Sequence, residues 1–188
     1  MEYITDKTFS NKDFSENQPV KGEYENCIFN NCNFTDYNLS GYTFIDCEFN
    51  SCNLSLVKIN NASFRDAKFK DCKMLGLRFD NCNEFGLSFS FENCILNHSS
   101  FYKLKIKKTN FNHCQLHEID FTACDLTASV FNNCDLMQSF FENTNLEKAD
   151  FYTSQNYTID PEANRIKKAK FSISGLPGLL RKYDIEID

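Results

Sequence analysis

The chain has 188 residues and a mass of 21.9 kDa, 15% of it aromatic with 20 Phe and no Trp, a composition that excludes a disordered polymer and provides the core of one folded body. Its net charge of -6 and pI near 5.1 exclude a general basic binder of nucleic acid. The opening MEYITDKTF has neither a basic n-region nor an apolar h-region, and no stretch approaches the roughly 18 apolar residues of a membrane span, so a cytoplasmic protein without direct nucleic-acid or membrane contact is expected.

From Tyr24 the sequence advances in fives: Phe29, Phe34, Leu39, Phe44, Phe49, Leu54, Ile59, Phe64, Phe69, Met74, Phe79. A second run starts at Phe91 and alternates Phe with Leu or Ile as far as Phe151. With Phe9, Phe14 and Phe171 included, 17 of the 20 Phe lie on this register. A period of five fits neither the 3.6 of a helix nor the 2 of a strand. The backbone must therefore turn at regular intervals and present one large apolar centre per step, which describes a solenoid.

Two residues before most centres stands a small residue, among them Cys27, Cys32, Cys47, Cys52, Val57, Ala62, Ala67, Cys72, Cys94, Cys114, Cys124, Cys134 and Ala149, while Tyr37, Tyr42 and Leu77 break the pattern. Cys27 and Cys32, five apart, invite three readings: a metal clip, a disulfide, or small inward thiols. Nine of the ten Cys hold this one repeat position, and the tenth, Cys82, sits at a slip of the register. Parallel side chains point alike rather than at each other, so thiols that pack as small apolar groups are expected, with Cys32, Cys52 and Cys72 in one stack and Cys94, Cys114 and Cys134 in another. The centres nearly repeat every 20 residues before Phe79 and every 10 after Phe91, and both periods suit four sides per coil.

Residues 1–176 thus form the solenoid, with a register break at 80–90, where Phe79 and Phe91 are 12 apart. The two extra residues fall around Glu84, Phe85 and Gly86, a bulge or a small projecting loop. Asn156 and Pro161 replace apolar centres, so residues 152–176 make an irregular last coil, with Ile166, Phe171 and Leu176 still in register. Residues 177–188 form a C-terminal cap and dimerisation element: Pro177 opens a short helix through Tyr183, with Leu179, Leu180 and Tyr183 as its apolar face, and DIEID closes as a strand.

The steps ACDLT at 123–127, NCDLM at 133–137 and KADFY at 148–152 resemble the pentapeptide repeat, a small residue, Asn or Asp, then Leu or Phe, then two variable residues. The resemblance covers about residues 7–176 and implies an all-β fold, a right-handed quadrilateral β-helix. The SGL step, short helix and IEI ending resemble the C-terminus of the quinolone-resistance (Qnr) pentapeptide proteins. That resemblance implies a head-to-head homodimer through the C-terminus, binding to DNA gyrase or topoisomerase IV, and a rod that imitates duplex DNA. An interaction scaffold for an unrelated partner is the alternative.

Charge along the rod runs acidic, basic, acidic: five acids and no Lys or Arg in 23–57, ten bases and five acids in 58–108, seven acids and Lys148 alone in 109–151. The last section, through Glu118, Asp120, Asp125, Asp135, Glu142, Glu147 and Asp150, is the candidate acidic partner surface, against the plainer reading of a solvated face. Val130, Met137 and Phe140 fall at outward positions and, with Leu179, Leu180, Tyr183, Ile185 and Ile187, form the candidate dimer interface. Leu56, Leu75 and Ile95 form a second apolar set. His98, His113 and His117 read as surface residues with no carboxylate directed beside them. No Gly-rich phosphate loop, nucleophile elbow or HExxH motif is present, so neither catalysis nor a cofactor or metal is expected.

Overall fold

A five-residue step closes a coil only if the chain turns sharply once per step. In the computed structural model, which describes residues 2–16 and 19–186, the residue two places after most centres makes that turn in the left-handed region, with φ of 50–62° at the non-glycine corners from Asp6 to Lys148. Asn and Asp tolerate this conformation. They hold nine of the eleven non-glycine corners between Asp6 and Asp71, whereas between Asn93 and Lys148 only Asn93, Asn133 and Asn143 do. Gly41 and Gly76 take two further corners at φ 72° and 68°.

Between corners the chain is extended, and equivalent residues of successive coils pair in parallel. The first side is a four-stranded sheet in the order β1 (Glu2–Thr5), β3 (Gly22–Glu25), β5 (Thr43–Ile45) and β7 (Ser63–Arg65). The second side is a seven-stranded sheet: β2 (Thr8–Ser10), β4 (Ile28–Asn30), β6 (Glu48–Asn50), β8 (Ala67–Lys70), β9 (Phe89–Glu92), β10 (Asn110–Asn112) and β11 (Val130–Asn132). The third and fourth sides are single bridges, such as Asn33 with Asn53 and Asn38 with Lys58. The expected four-sided, all-β coil of about 20 residues is what the chain forms, since Phe29 pairs with Phe49 and Phe111 with Phe131.

The centres fill the lumen. On the second side Phe9, Phe29, Phe49, Phe69, Phe91, Phe111, Phe131, Phe151 and Phe171 stack face to face, with centroids 4.5–5.4 Å apart and planes within 16°. Eight such steps make a rod about 40 Å long at the spacing of paired strands. Rings on neighbouring or facing sides meet edge-on, for example Phe101 and Phe111 at 88°. Stacked rungs and edge-on cross-contacts are both favoured aromatic geometries. Tyr37 and Tyr42, too large for the small position, reach into the thin first coil, where the Tyr42 hydroxyl donates to the Pro19 carbonyl at 2.9 Å and meets the Tyr37 hydroxyl at 3.1 Å.

Six cysteines form one column on the third side. Cys32, Cys52, Cys72, Cys94, Cys114 and Cys134 sit beside residues that bridge in sequence from Asn33 to Asp135, and the expected two stacks of three are continuous across the break. Their thiols are buried, and those of Cys52 and Cys72 donate to the carbonyls of Phe29 and Phe49 at 3.2 Å. All ten cysteines are free. Burial pushes the Cys47 thiol up to about 12, and raises those of Cys82 and Cys124 as well.

The break is confined to one side. Phe69 still pairs with Phe91, so the second-side ladder is unbroken. A 3₁₀ turn at Phe79–Asn81 leads to Asn83, whose amide donates to the Ala62 carbonyl at 2.9 Å; residues 84–86 then stand exposed, and the Ser88 amide rejoins the coil above at the Phe64 carbonyl at 3.0 Å. Phe89, standing where the ladder partner is Ala67, turns inward and packs on Phe79 and Phe91 at 5.3 and 5.2 Å. The phenylalanine stack passes there from the first side, Phe44 and Phe64, to the fourth, Phe79, Phe101, Phe121 and Phe141.

In the last coil Tyr157 and Ile159 are buried, while Asn156 is exposed and Pro161 half-buried. Leu176, expected at a centre, is 43% exposed, because the chain leaves the coil there. The cap is a 3₁₀ turn at Ile173–Gly175, helix α1 (Pro177–Leu180) and a second 3₁₀ turn at Arg181–Tyr183, so the helical span matches the expected one but only its first turn is α. Gly178 lies flat on Tyr157, whose backbone carbonyl would clash with any Cβ, and its own carbonyl accepts from Ile159 N at 3.0 Å. The closing strand is a correction: residues 184–186 are irregular, and Asp184 at φ 50° turns the chain away from an extended path. Ile187 lies outside the described residues.

A candidate partner-binding surface

Outward residues form columns with one side chain per coil. On the fourth side the column before the centres runs Arg78, Ser100, Asp120, Phe140, set by the bridges 78–100, 100–120 and 120–140. Around it lies a groove of ≈ 1000 Å³ lined by Glu118, Asp120, Phe140, Glu142 and Asp160, with Arg78 and Arg181 at its ends. Arg78 is engaged by Asp80, donating at 3.0 and 2.7 Å. Phe140 is 58% exposed in the middle of these acids. A large apolar ring flanked by carboxylates suits a partner that offers an apolar contact ringed by Lys or Arg.

The seven candidate acids are brought together only in part. Asp120 and Glu142 share this groove with Glu118, while Asp125 and Glu147 face the first side, Asp150 the second and Asp135 the third. Five have cationic or imidazole partners: Asp125 with Lys107 at 3.2 Å, Asp135 with His117 at 2.9 Å, Glu147 with Arg165 at 2.8 Å, Asp150 with Lys170 at 3.0 Å and Glu118 with His98 at 3.4 Å. Among the described residues Asp120 and Glu142 have none. Partial burial raises Asp125, Asp135 and Asp150, but hydrogen bonds outweigh it: from Thr127 and Lys107 to Asp125, from Asn156 and His117 to Asp135, and from the Tyr152 amide and Lys170 to Asp150. All three stay below the usual carboxylate range. The pairings of His98 and His117 correct the expectation that no carboxylate stands beside the histidines. Their partners are 20 and 18 residues away in sequence, one coil on in space.

The candidate dimer residues are distributed likewise. Val130 lies on the second side, Met137 on the third and Phe140 on the fourth, so these three form no single patch. Met137 faces Pro177, Leu180 and Ile185 across a crevice. Leu179 is buried, whereas Leu180 is half-buried and Tyr183 and Ile185 are exposed. Lys182 bridges Asp160 and Glu162 at 2.7 and 2.6 Å, and the Tyr183 hydroxyl donates to Glu162 at 2.8 Å, pinning the cap to the last coil. Ile173, which sequence reasoning missed, is 88% exposed at the same end. It stands two residues past the centre Phe171, a corner place where the pattern predicts a polar residue. Leu75 and Ile95 share the third side on adjacent coils, with Leu56 at its corner over Gly76.

A family model for the pentapeptide repeat region matches residues 23–90, 78–151 and 94–171. No curated protein matches the chain. Among solved structures, full-length QnrB1, a plasmid-mediated fluoroquinolone resistance protein, superposes with a TM-score of 0.58 at 18% identity, over 98% of this chain and 100% of that one. HetL, a pentapeptide repeat protein involved in heterocyst differentiation regulation from the cyanobacterium Nostoc, aligns with a TM-score of 0.42 at 9% identity, over 92% and 88% of the two chains.

Proposed function

Because the chain belongs to the pentapeptide-repeat family, we propose that it is a Qnr-like, non-enzymatic protein that binds a type II DNA topoisomerase and protects it from quinolones. The observation that carries this reading is the likeness in fold, over 98% of this chain, to a fluoroquinolone resistance protein. The fourth-side groove is the contact surface in this reading, with Asp120 and Glu142 standing in for backbone phosphates and Phe140 adding apolar grip. Two copies join through the cap, where Ile173, Leu176, Tyr183 and Ile185 are each exposed. Each copy then presents its 109–151 section on either side of the join.

A gyrase supercoiling assay, titrated with purified protein in the presence and absence of a fluoroquinolone, tests the proposal. Protection from the drug, or inhibition of supercoiling, is the expected result. Neither effect, together with no binding to gyrase or topoisomerase IV, sinks it. One observation favours the alternative, a scaffold for an unrelated partner: five of the seven acids are already partnered within the rod. The two readings separate on whether Asp120→Lys with Glu142→Lys weakens gyrase binding.

A further inference from the structure

The basic middle of the rod plays no part in that reading, and its lysines converge where the register slips. A cleft of ≈ 380 Å³ opens at the corner between the first and second sides, bounded by Asp66 and Lys68 above, Ser88 and Ser90 at its middle, and Lys105, Lys107 and Lys108 below. Four lysines and one aspartate thus line the cleft. Asp66 is already occupied, accepting from the Ser88 hydroxyl at 2.8 Å. Lys68 and Lys107 lean to Glu48 and Asp125 at 3.0 and 3.2 Å, on the neighbouring coils. Lys105 and Lys108 have no carboxylate partner among the described residues.

The backbone adds a second, independent signal. Along the first side, the residue before each centre donates its amide to the coil above: Ser63 to Tyr42, Asn83 to Ala62, Asp125 to Leu104, Asn145 to Cys124 and Arg165 to Thr144. Lys105 occupies this place directly below the break, where the chain above leaves the ladder after Asn83, and among the described residues its amide meets no carbonyl. In the two coils below, the same residue also supplies a side-chain oxygen to the amide two places on, Asp125 to Thr127 at 3.1 Å and Asn145 to Glu147 at 3.2 Å. Lysine has no such oxygen, so the Lys107 amide also lacks this partner. Two backbone donors and the two lysines without a carboxylate partner, Lys105 and Lys108, therefore border a place that an oxyanion can fill, with Lys68 and Lys107 beside it.

We propose that the cleft at the register break is a binding site for a phosphate group, free or carried as the ester of a small ligand. The phosphate oxygens take the amides of Lys105 and Lys107, standing where the Asx oxygen sits in the coils below. Lys68, Lys105 and Lys108 neutralise the charge, and the Ser90 hydroxyl donates at the rim. Net negative charge elsewhere on the chain disfavours diffuse anion binding, which makes a local site distinguishable.

The test is calorimetric titration at low salt with inorganic phosphate, pyrophosphate and acetate, on the full chain and on two matched variants. Lys105→Asn supplies the missing oxygen from within while removing one charge. Lys73→Asn removes the same charge at the equivalent place on the third side, away from the cleft. The expected result is one saturable pyrophosphate site, weakened about tenfold or more by Lys105→Asn and unchanged by Lys73→Asn. Tighter binding of inorganic phosphate than of acetate identifies the phosphate group itself as the ligand, and pyrophosphate binding without phosphate binding identifies a phosphoanhydride ligand. The proposal is overturned by no saturable binding at about 10 mM pyrophosphate, by equal losses in the two variants, or by acetate binding as well as phosphate. An unchanged circular dichroism spectrum for Lys105→Asn keeps misfolding from mimicking the expected loss.

Discussion

Ala123 and Ala128 occupy corners with φ of 56° and 59°, a conformation that costs an L-residue with a Cβ about 1–2 kcal/mol. Replacing each with glycine removes that cost and adds back about 0.5–1 kcal/mol of unfolded-state freedom. The net gain is about 0.5–1 kcal/mol per corner, because the amides of both residues keep their bonds to the Glu142 and Glu147 carbonyls at 2.8 Å. For a chain of this size, the Ala123→Gly/Ala128→Gly double variant should melt roughly 3–6 °C higher. Ala149 is the internal control, since it points inward at 0% exposure and lies off the corners. Ala149→Gly loses about 0.8 kcal/mol of buried methyl as well as the glycine entropy, so it should melt lower by a similar margin. Scanning calorimetry on the three proteins gives the answer. If the corner variant melts at or below the parent, or moves with Ala149→Gly, the left-handed corners are not where the strain lies.

Other outcomes follow from the same geometry. Phe111→Ala removes a fully buried rung and should cost about 3–5 kcal/mol in a denaturant titration, whereas Phe85→Ala, at 76% exposure, should change stability little; comparable losses would contradict the ladder as the source of stability. Carboxylates held low in the folded state, at Asp125, Asp135 and Asp150, stabilise it fully above the ordinary Asp value of 3.8 and lose that contribution as pH falls below it. The urea midpoint should therefore hold from pH 7 to about 5 and drop between pH 4 and 2. Ellman's reagent should find none of the ten thiols quickly accessible until guanidinium is added, and rapid native labelling would contradict the inward column. Ile173→Arg with Ile185→Arg should turn a sedimenting dimer into a monomer, while a monomeric parent at micromolar concentration would remove the proposed interface.

The repeat made the fold legible because every large residue of the pattern answers to the lumen. Phe29, Phe111 and their equivalents announce one side each, and the spacing of 20 counts the sides. What the pattern could not reveal was anything set by neighbours one coil away. His117 and Asp135 are 18 apart in sequence, and only the stacking of coils makes them partners at 2.9 Å. The acids of 109–151 read as one run because they are consecutive, yet five-residue steps send them to all four sides. The cap failed for a different reason: IEI has the composition of a strand, but Asp184 turns the chain before residues 185 and 186 can find an edge to pair with. Two extra residues at 80–90 were visible as a number, while the handover of the ring stack from Phe64 to Phe79, with Phe89 filling the space, was a packing outcome.

The confinement of the break to a single side makes the rod a display scaffold. Because Phe69 stays in register with Phe91, the coils beyond do not register how much chain lies between Asn83 and Ser88. Peptide of another length or composition, inserted at the exposed Phe85 and Gly86, would be held clear of the lumen with its two ends anchored, Asn83 on Ala62 and Ser88 on Phe64. A lineage built on this scaffold could change what it recognises by editing one short segment, leaving every buried ring where it is.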